Sequence, residues 1–196
     1  MPTKYDIKKK KNDKIQQPDR GVDTLFRVTL NNHTRLSDIA DSKANILLSV
    51  NAIVISIALS TLVPKLMNPK TAYLMIPTII MLLSSVISII FAILATKPNV
   101  TFESFNAEDV KSKKVNLLFF GNFYQMSIDA YEEAMQDLIK DRDYLYNSLT
   151  RDLYFLGKVL ERKYRLLSIT YTIFMIGTIL SVLAFAYAII FLQIKG

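Results

Sequence analysis

The sequence predicts an all-α membrane protein with three transmembrane helices, two of them continuing into long cytoplasmic helices, and a small β-hairpin insert. Three observations predict it. First, three uncharged stretches are long enough to cross a bilayer: 21 residues between Lys43 and Lys65, 26 between Lys70 and Lys97, and 29 between Arg165 and Lys195. A helix rises 1.5 Å per residue and the hydrocarbon core is roughly 30 Å thick, so about 20 residues suffice. Second, Lys and Arg are unequally shared among the segments that these stretches separate. Third, the polar segments beside the first and last stretches carry apolar residues at helical spacing.

Residues 1–21 include four consecutive lysines, Lys8 to Lys11, and Pro18. With so little to bury they are expected to form a disordered basic tail, suited to contact with anionic membrane lipid. Residues 22–43 place Leu25, Thr29, Leu36, Ile39 and Lys43 in helical register, which predicts a juxtamembrane helix running straight into the first span at 44–63. A short loop leads to the second span, 73–95, where Pro77 is the one residue suited to kinking a helix. Lys97-Pro98 ends that helix, because proline lacks an N–H and forces its predecessor out of helical angles.

An insert at 97–126 follows. Its runs at 100–105 and 115–120 are rich in aromatic or β-branched residues and close on Gly121-Asn122, which suggests a hairpin, with helix as the alternative for runs this short. Ser127 then reads as an N-cap. Beyond it Tyr131, Met135, Leu138, Leu145, Leu149, Leu156, Leu160 and Leu167 recur at spacings of three, four or seven. A single cytoplasmic helix is expected over 127–166, feeding the third span at 167–192.

Orientation follows from the basic residues. Ten precede the first span, two lie in the loop at 64–71, eleven fall between spans two and three, and one follows the third. Positive residues remain inside, so the N-terminus and residues 97–165 are expected in the cytoplasm, with the C-terminus outside. The first apolar run follows 43 residues of polar chain and ends in Pro64-Lys65, which is no cleavage pattern for a signal peptide.

Little catalytic chemistry is on offer. The chain has no cysteine, a single histidine at His33, no glycine-rich phosphate loop and no His-x-x-x-His pair. Glu132-Glu133 and Asp141-Asp143 sit among lysines and arginines and read as solvated helix surface. No enzyme activity, metal, cofactor or nucleic-acid partner is expected. A transporter would carry a charge or a broken helix at midspan, and no span has a midspan charge.

Two clusters remain as candidate sites. At the membrane boundary Arg35, Asp38, Asp41 and Lys43 form a charged collar, which Arg142 and Arg151 from the second long helix would complete. Those arginines suit either ion pairs with Asp38 and Asp41 or a bidentate grip on a phosphate, and the residues leave both open. Within the spans, Asn45, Ser49, Ser56 and Ser60, then Ser84 and Ser88, then Gly177 and Ser181 make a seam of small and polar residues at spacings of about four. Such a seam serves close helix packing, or lines a water path once copies assemble into a homo-oligomer.

Four blocks carry a resemblance: RLSDIADSKANILLSVN at 35–51, NLLFFGNF at 116–123, KDRDYLY at 140–146 and DLYFLGK at 152–158. Together they resemble the transmembrane effectors of bacterial Pycsar antiphage systems, in a stand-alone form without an HD domain. The resemblance implies abortive infection. A cyclase makes a cyclic pyrimidine mononucleotide, cCMP or cUMP, and the effector responds by impairing the inner membrane. No β-roll nucleotide domain is recognisable, so direct sensing would fall to the helical stalk. The residues alone fit, as the alternative, a non-catalytic membrane-anchored interaction or scaffold protein.

Overall fold

A computed structural model describes residues 20–98, 115–124 and 126–192. Helix α1 runs from Arg20 to Ile57 and passes the last charge before the span, Lys43, without a break. Its end widens into a π-turn over Ala58–Leu62 before a last turn at Val63–Leu66. Pro64 accounts for the widening, since it offers no N–H and its ring crowds the carbonyl four residues back. Within the wide turn the Ile57 carbonyl also accepts from side chains, Ser60 Oγ at 3.2 Å and Thr61 Oγ1 at 2.6 Å.

A 3-10 turn at Pro69–Leu74 reverses the chain into α2, Met75–Thr96. That helix ends where Lys97 leaves helical angles, at φ −57° and ψ 126°, immediately before Pro98. After the insert come a single turn, α3 at Phe120–Phe123, then α4 at Ile128–Lys140 and α5 at Arg142–Tyr187. A second wide turn, Ala188–Leu192, extends α5. Three of these helices are long and apolar enough to cross a membrane.

Two expectations are corrected. No strand occurs among the described residues. Of the supposed hairpin, 100–105 lies outside them, and 115–120 is a turn leading into α3. Its own side chains bend it: Asn116 Oδ1 accepts from Leu118 N at 3.1 Å, and Asn122 Nδ2 donates to the Asn116 carbonyl at 2.9 Å. Such local bonds compete with a strand ladder for the same backbone groups.

The helix expected over 127–166 is divided at Asp141, which is extended at φ −106° and ψ 103°. Asp141 ends α4 and caps α5, its Oδ1 accepting from Tyr144 N at 3.1 Å. α4 folds back on α5, burying Ala134 and Leu138 with Tyr144, Val115 and Leu117. The expected cap at Ser127 is present, accepting from Ala130 N at 3.3 Å.

The long helices run up, down and up. α1 and α5 are parallel, as contacts of Asp23 with Tyr146 and of Asp41 with Lys163 require. α2 is antiparallel to both and meets α1 through Asn51 and Ser88. Small residues make the close approach: Ala44 and Ala58 on α1 and its extension, Ser85, Ser88, Ala92 and Ala95 on α2, and Gly177 and Ser181 on α5 are all buried. A Cβ built on Gly177 would overlap the Ser84 side chain, so glycine sets how near α2 and α5 come. In lipid, where apolar surface gains nothing by leaving its solvent, such packing and hydrogen bonds between helices hold a bundle together.

Candidate functional site

Where the three long helices reach the polar end of the bundle, Lys163 of α5 ties α5 to α1. Its ammonium donates to both Asp41 carboxylate oxygens, at 2.9 and 2.8 Å, and to Ser37 Oγ at 2.8 Å. Ser37 and Asp41 are one turn apart and share a face of α1. Tyr164 adds a bond from its hydroxyl to the Leu36 carbonyl, 3.2 Å long. The ion pair is half shielded, with the Lys163 side chain 18% and Asp41 39% exposed. Partial solvation keeps such a pair to about 1 kcal/mol, enough to bias an equilibrium and weak enough to be broken.

A cleft of about 330 Å³ opens beside this pair. Its walls are Asp41 of α1, residues 94–98 where α2 ends, and Val159, Arg162, Lys163 and Leu166 of α5. Lys97, Arg162 and Lys163 bring three positive charges against the single carboxylate of Asp41. The helix dipole puts partial negative charge at the end of α2, where the Ile93 carbonyl accepts from Lys97 N and Thr96 Oγ1 at 2.9 and 3.1 Å, but a half charge there is outweighed by the three cations. The cleft therefore favours an anion, and an anion seated on Lys163 competes with Asp41 for the same three donors.

The collar expected from sequence is only partly assembled. Arg35, Asp38 and Lys43 are exposed on α1, and among the described residues Arg35 and Asp38 have no ion-pair partner. Arg142 and Arg151 precede Lys163 by 21 and 12 residues on one continuous helix, so they lie about 30 and 18 Å further down the stalk. Arg142 sits 5.4 Å over the Tyr146 ring, which stacks on Phe26 at 5.9 Å near the far end of α1. Lys163 takes the place assigned to the arginines. It was legible in principle: Asp41 stands three residues before the first span at Ala44, and Lys163 four before the third at Leu167, so parallel helices must bring them level.

The intramembrane seam divides in two. Ser84, Ser88, Gly177 and Ser181 turn inward, three of them buried and Ser84 against Gly177. Asn51 joins them, wholly buried, donating to Ser88 Oγ at 3.1 Å and to the Leu47 carbonyl at 2.8 Å. Asn45, Ser49, Ser56 and Ser60 are exposed on the outer side of α1 and its extension.

At the far end of the stalk, three of the four sequence blocks meet. Asn116 Nδ2 donates to Asp152 Oδ1 at 3.4 Å, Phe119 and Phe155 lie 6.0 Å apart, and Tyr144 OH donates to the Val115 carbonyl at 3.4 Å. Burial pushes the Asp152 carboxyl above its ordinary value, and the Asn116 bond only partly offsets this. The fourth block, 35–51, carries Ser37, Asp41 and Asn51, so it holds both the charged contact and the buried amide.

No curated protein and no solved structure matches the chain. A family model does: that of the Pycsar effector protein domain, PycTM, matches residues 24–190, from the first turns of α1 to the wide turn after α5. Three apolar helices and their polar stalk thus fall inside one match, and the chain belongs to the Pycsar transmembrane effector family, PycTM.

Proposed function

We propose that this Pycsar transmembrane effector responds to a cyclic pyrimidine mononucleotide, cCMP or cUMP, by impairing the integrity of the cell inner membrane, so that an infected cell aborts phage growth. The stalk faces the cytoplasm and the C-terminus the periplasm, as the surplus of Lys and Arg before span one and between spans two and three supports. The observation that carries this reading is the Asp41–Lys163 pair at the mouth of a cationic cleft. A cyclic mononucleotide has one phosphodiester charge, and seating it on Lys163, Arg162 and Lys97 draws Lys163 away from Asp41.

A ligand shifts a two-state equilibrium only by its differential affinity for the two states. Exchanging an internal carboxylate for an external phosphodiester supplies such a difference, and about 1.4 kcal/mol of it moves the balance tenfold. Release of α5 from α1 at the boundary would then pass up the same continuous helices into the bundle.

The test uses membrane vesicles holding the full chain with the stalk outward. Radiolabelled cCMP and cUMP are added while a potential-sensitive dye is followed. Saturable binding of one of them together with loss of potential is expected. Binding without depolarisation, or depolarisation that neither nucleotide changes, would overturn the reading.

A further inference from the structure

Traced along its outer side, α1 carries a second pattern that the bundle does not use. Arg35, Ser42, Ser49 and Ser56 alternate with Asn31, Asp38, Asn45 and Ala52 at strict three-and-four spacing, and every one of these eight is exposed. At about 100° per residue this stripe lies roughly opposite the face of Ala40, Ala44, Leu47 and Asn51 that packs on α2 and α5. Spacing of three and four is that of a helix wrapped on a partner helix.

The rest of the lipid-facing surface differs. All exposed residues of α2 are apolar, among them Ile79, Leu83, Ile90 and Ile93. Over residues 167–178 α5 exposes only Ser168, Tyr171, Thr172 and Thr178 among its polar residues, and Thr172 and Thr178 return their hydroxyls to carbonyls one turn back, at 2.9 and 2.7 Å, as Ser49 of the stripe does to Asn45 at 3.0 Å. The α1 stripe instead extends over several turns and includes Asn45, an amide whose two donors and carbonyl find no side-chain partner among the described residues. In hydrocarbon a polar side chain gains by finding a partner on another helix.

We infer that this face of α1 is a self-association surface, and that its occupant is a second copy of the chain in parallel orientation. Membrane insertion fixes every copy the same way up, so α1 meets α1 in register. Small Ser42, Ser49, Ala52 and Ser56 let the backbones approach, and Asn45 of each copy reaches Asn45 of the other. Below the membrane the stripe is self-complementary: Arg35 of one copy reaches Asp38 of the other, and symmetry makes the ion pair twice. The inference holds whether or not a nucleotide is the trigger.

The chain has no cysteine, so single substitutions report cleanly. Ser42→Cys, Ser49→Cys and Ser56→Cys would be oxidised in native membranes with copper phenanthroline, beside Val50→Cys and Ile57→Cys, which sit at matching depth one residue off the stripe. Disulfide-linked dimer several-fold above the off-stripe pair is expected for all three serine positions. Arg35→Glu in the Ser42→Cys background should reduce the dimer, and adding Asp38→Arg should restore it. Equal cross-linking on and off the stripe, or none at any position, would overturn the inference, as would failure of the charge swap to restore it.

Discussion

One helix presents two polar faces to two different environments. The inner face of α1 carries Asn51, fully buried, with Ser88 of α2 as its partner. The outer face carries Asn45 and Ser49, of similar composition, and both are exposed among the described residues. What separates them is whether the protomer supplies the partner. A polar residue in a span calls for a partner on another helix, and only packing says whether the protomer itself supplies it.

The largest effect expected is on the inner face. Gly177→Leu forces a side chain into the space of Ser84 and should separate α2 from α5. Overpacking typically costs about 1–3 kcal/mol, and here the overlap is with a neighbouring helix that cannot move without losing its other contacts. Loss of the folded protein from membranes, read by protease resistance of the bundle, is the expected outcome; wild-type resistance would show the helices are not held this closely.

A smaller effect is expected for Asn51→Leu, which deletes the bond to Ser88. Hydrogen bonds between membrane helices average about 0.6 kcal/mol, so the variant should fold with a modestly lower melting temperature in mild detergent. An unchanged melting temperature would mean that the Asn51–Ser88 bond contributes nothing net.

Ser56→Leu tests the opposite face. Leucine is at least as apolar, and Ser56 is exposed among the described residues, so protomer stability should stay within about 0.5 kcal/mol of wild type. Association, measured by energy transfer between two labelled populations in vesicles, should fall. A loss of stability as large as that of Gly177→Leu would erase the distinction between the faces.

Smallest of all is Asp152→Asn, remote from both faces. Burial raises the Asp152 carboxyl, so the folded protein binds a proton that the unfolded chain releases, and this residue lowers stability as pH rises through the window from the ordinary carboxylate value to the raised one. The amide keeps the bond to Asn116 without that cost. The variant should be at least as stable at neutral pH and lose this pH dependence, with dimer formation unchanged; a variant less stable at neutral pH would show that the contact with Asn116 requires the ionised form.

Much of this was legible from charge and spacing. Lys43, Lys65, Lys70, Lys97 and Arg165 bracket three uncharged stretches, and the structure has three long apolar helices there. The Lys97-Pro98 stop and the Ser127 cap are local chemistry and were readable for that reason. The division at Asp141 was less so, because Leu138 and Leu145 keep the same seven-residue spacing across the break. In sequence the polar seam reads as one surface, since a four-residue period gives a face and not what lies opposite it; the structure turns Ser84, Ser88, Gly177 and Ser181 inward and leaves Asn45, Ser49, Ser56 and Ser60 exposed. Lys163 is harder to single out, because arginines suit phosphate better, although its distance from the apolar boundary matches that of Asp41.

In the proposed switch the Asp41–Lys163 contact holds the resting state and an anion in the adjoining cleft releases it. Membrane potential in cells expressing Asp41→Asn or Arg162→Gln, with and without a cyclase that makes cCMP or cUMP, tests it most directly. Asp41→Asn should depolarise cells with no cyclase present, because the lysine loses its carboxylate. Arg162→Gln leaves the pair intact and weakens the cleft, so those cells should remain polarised even with the cyclase. If both variants expressed at wild-type levels behave alike, or Asp41→Asn stays silent until the nucleotide is made, the pair is an ordinary boundary ion pair and no switch.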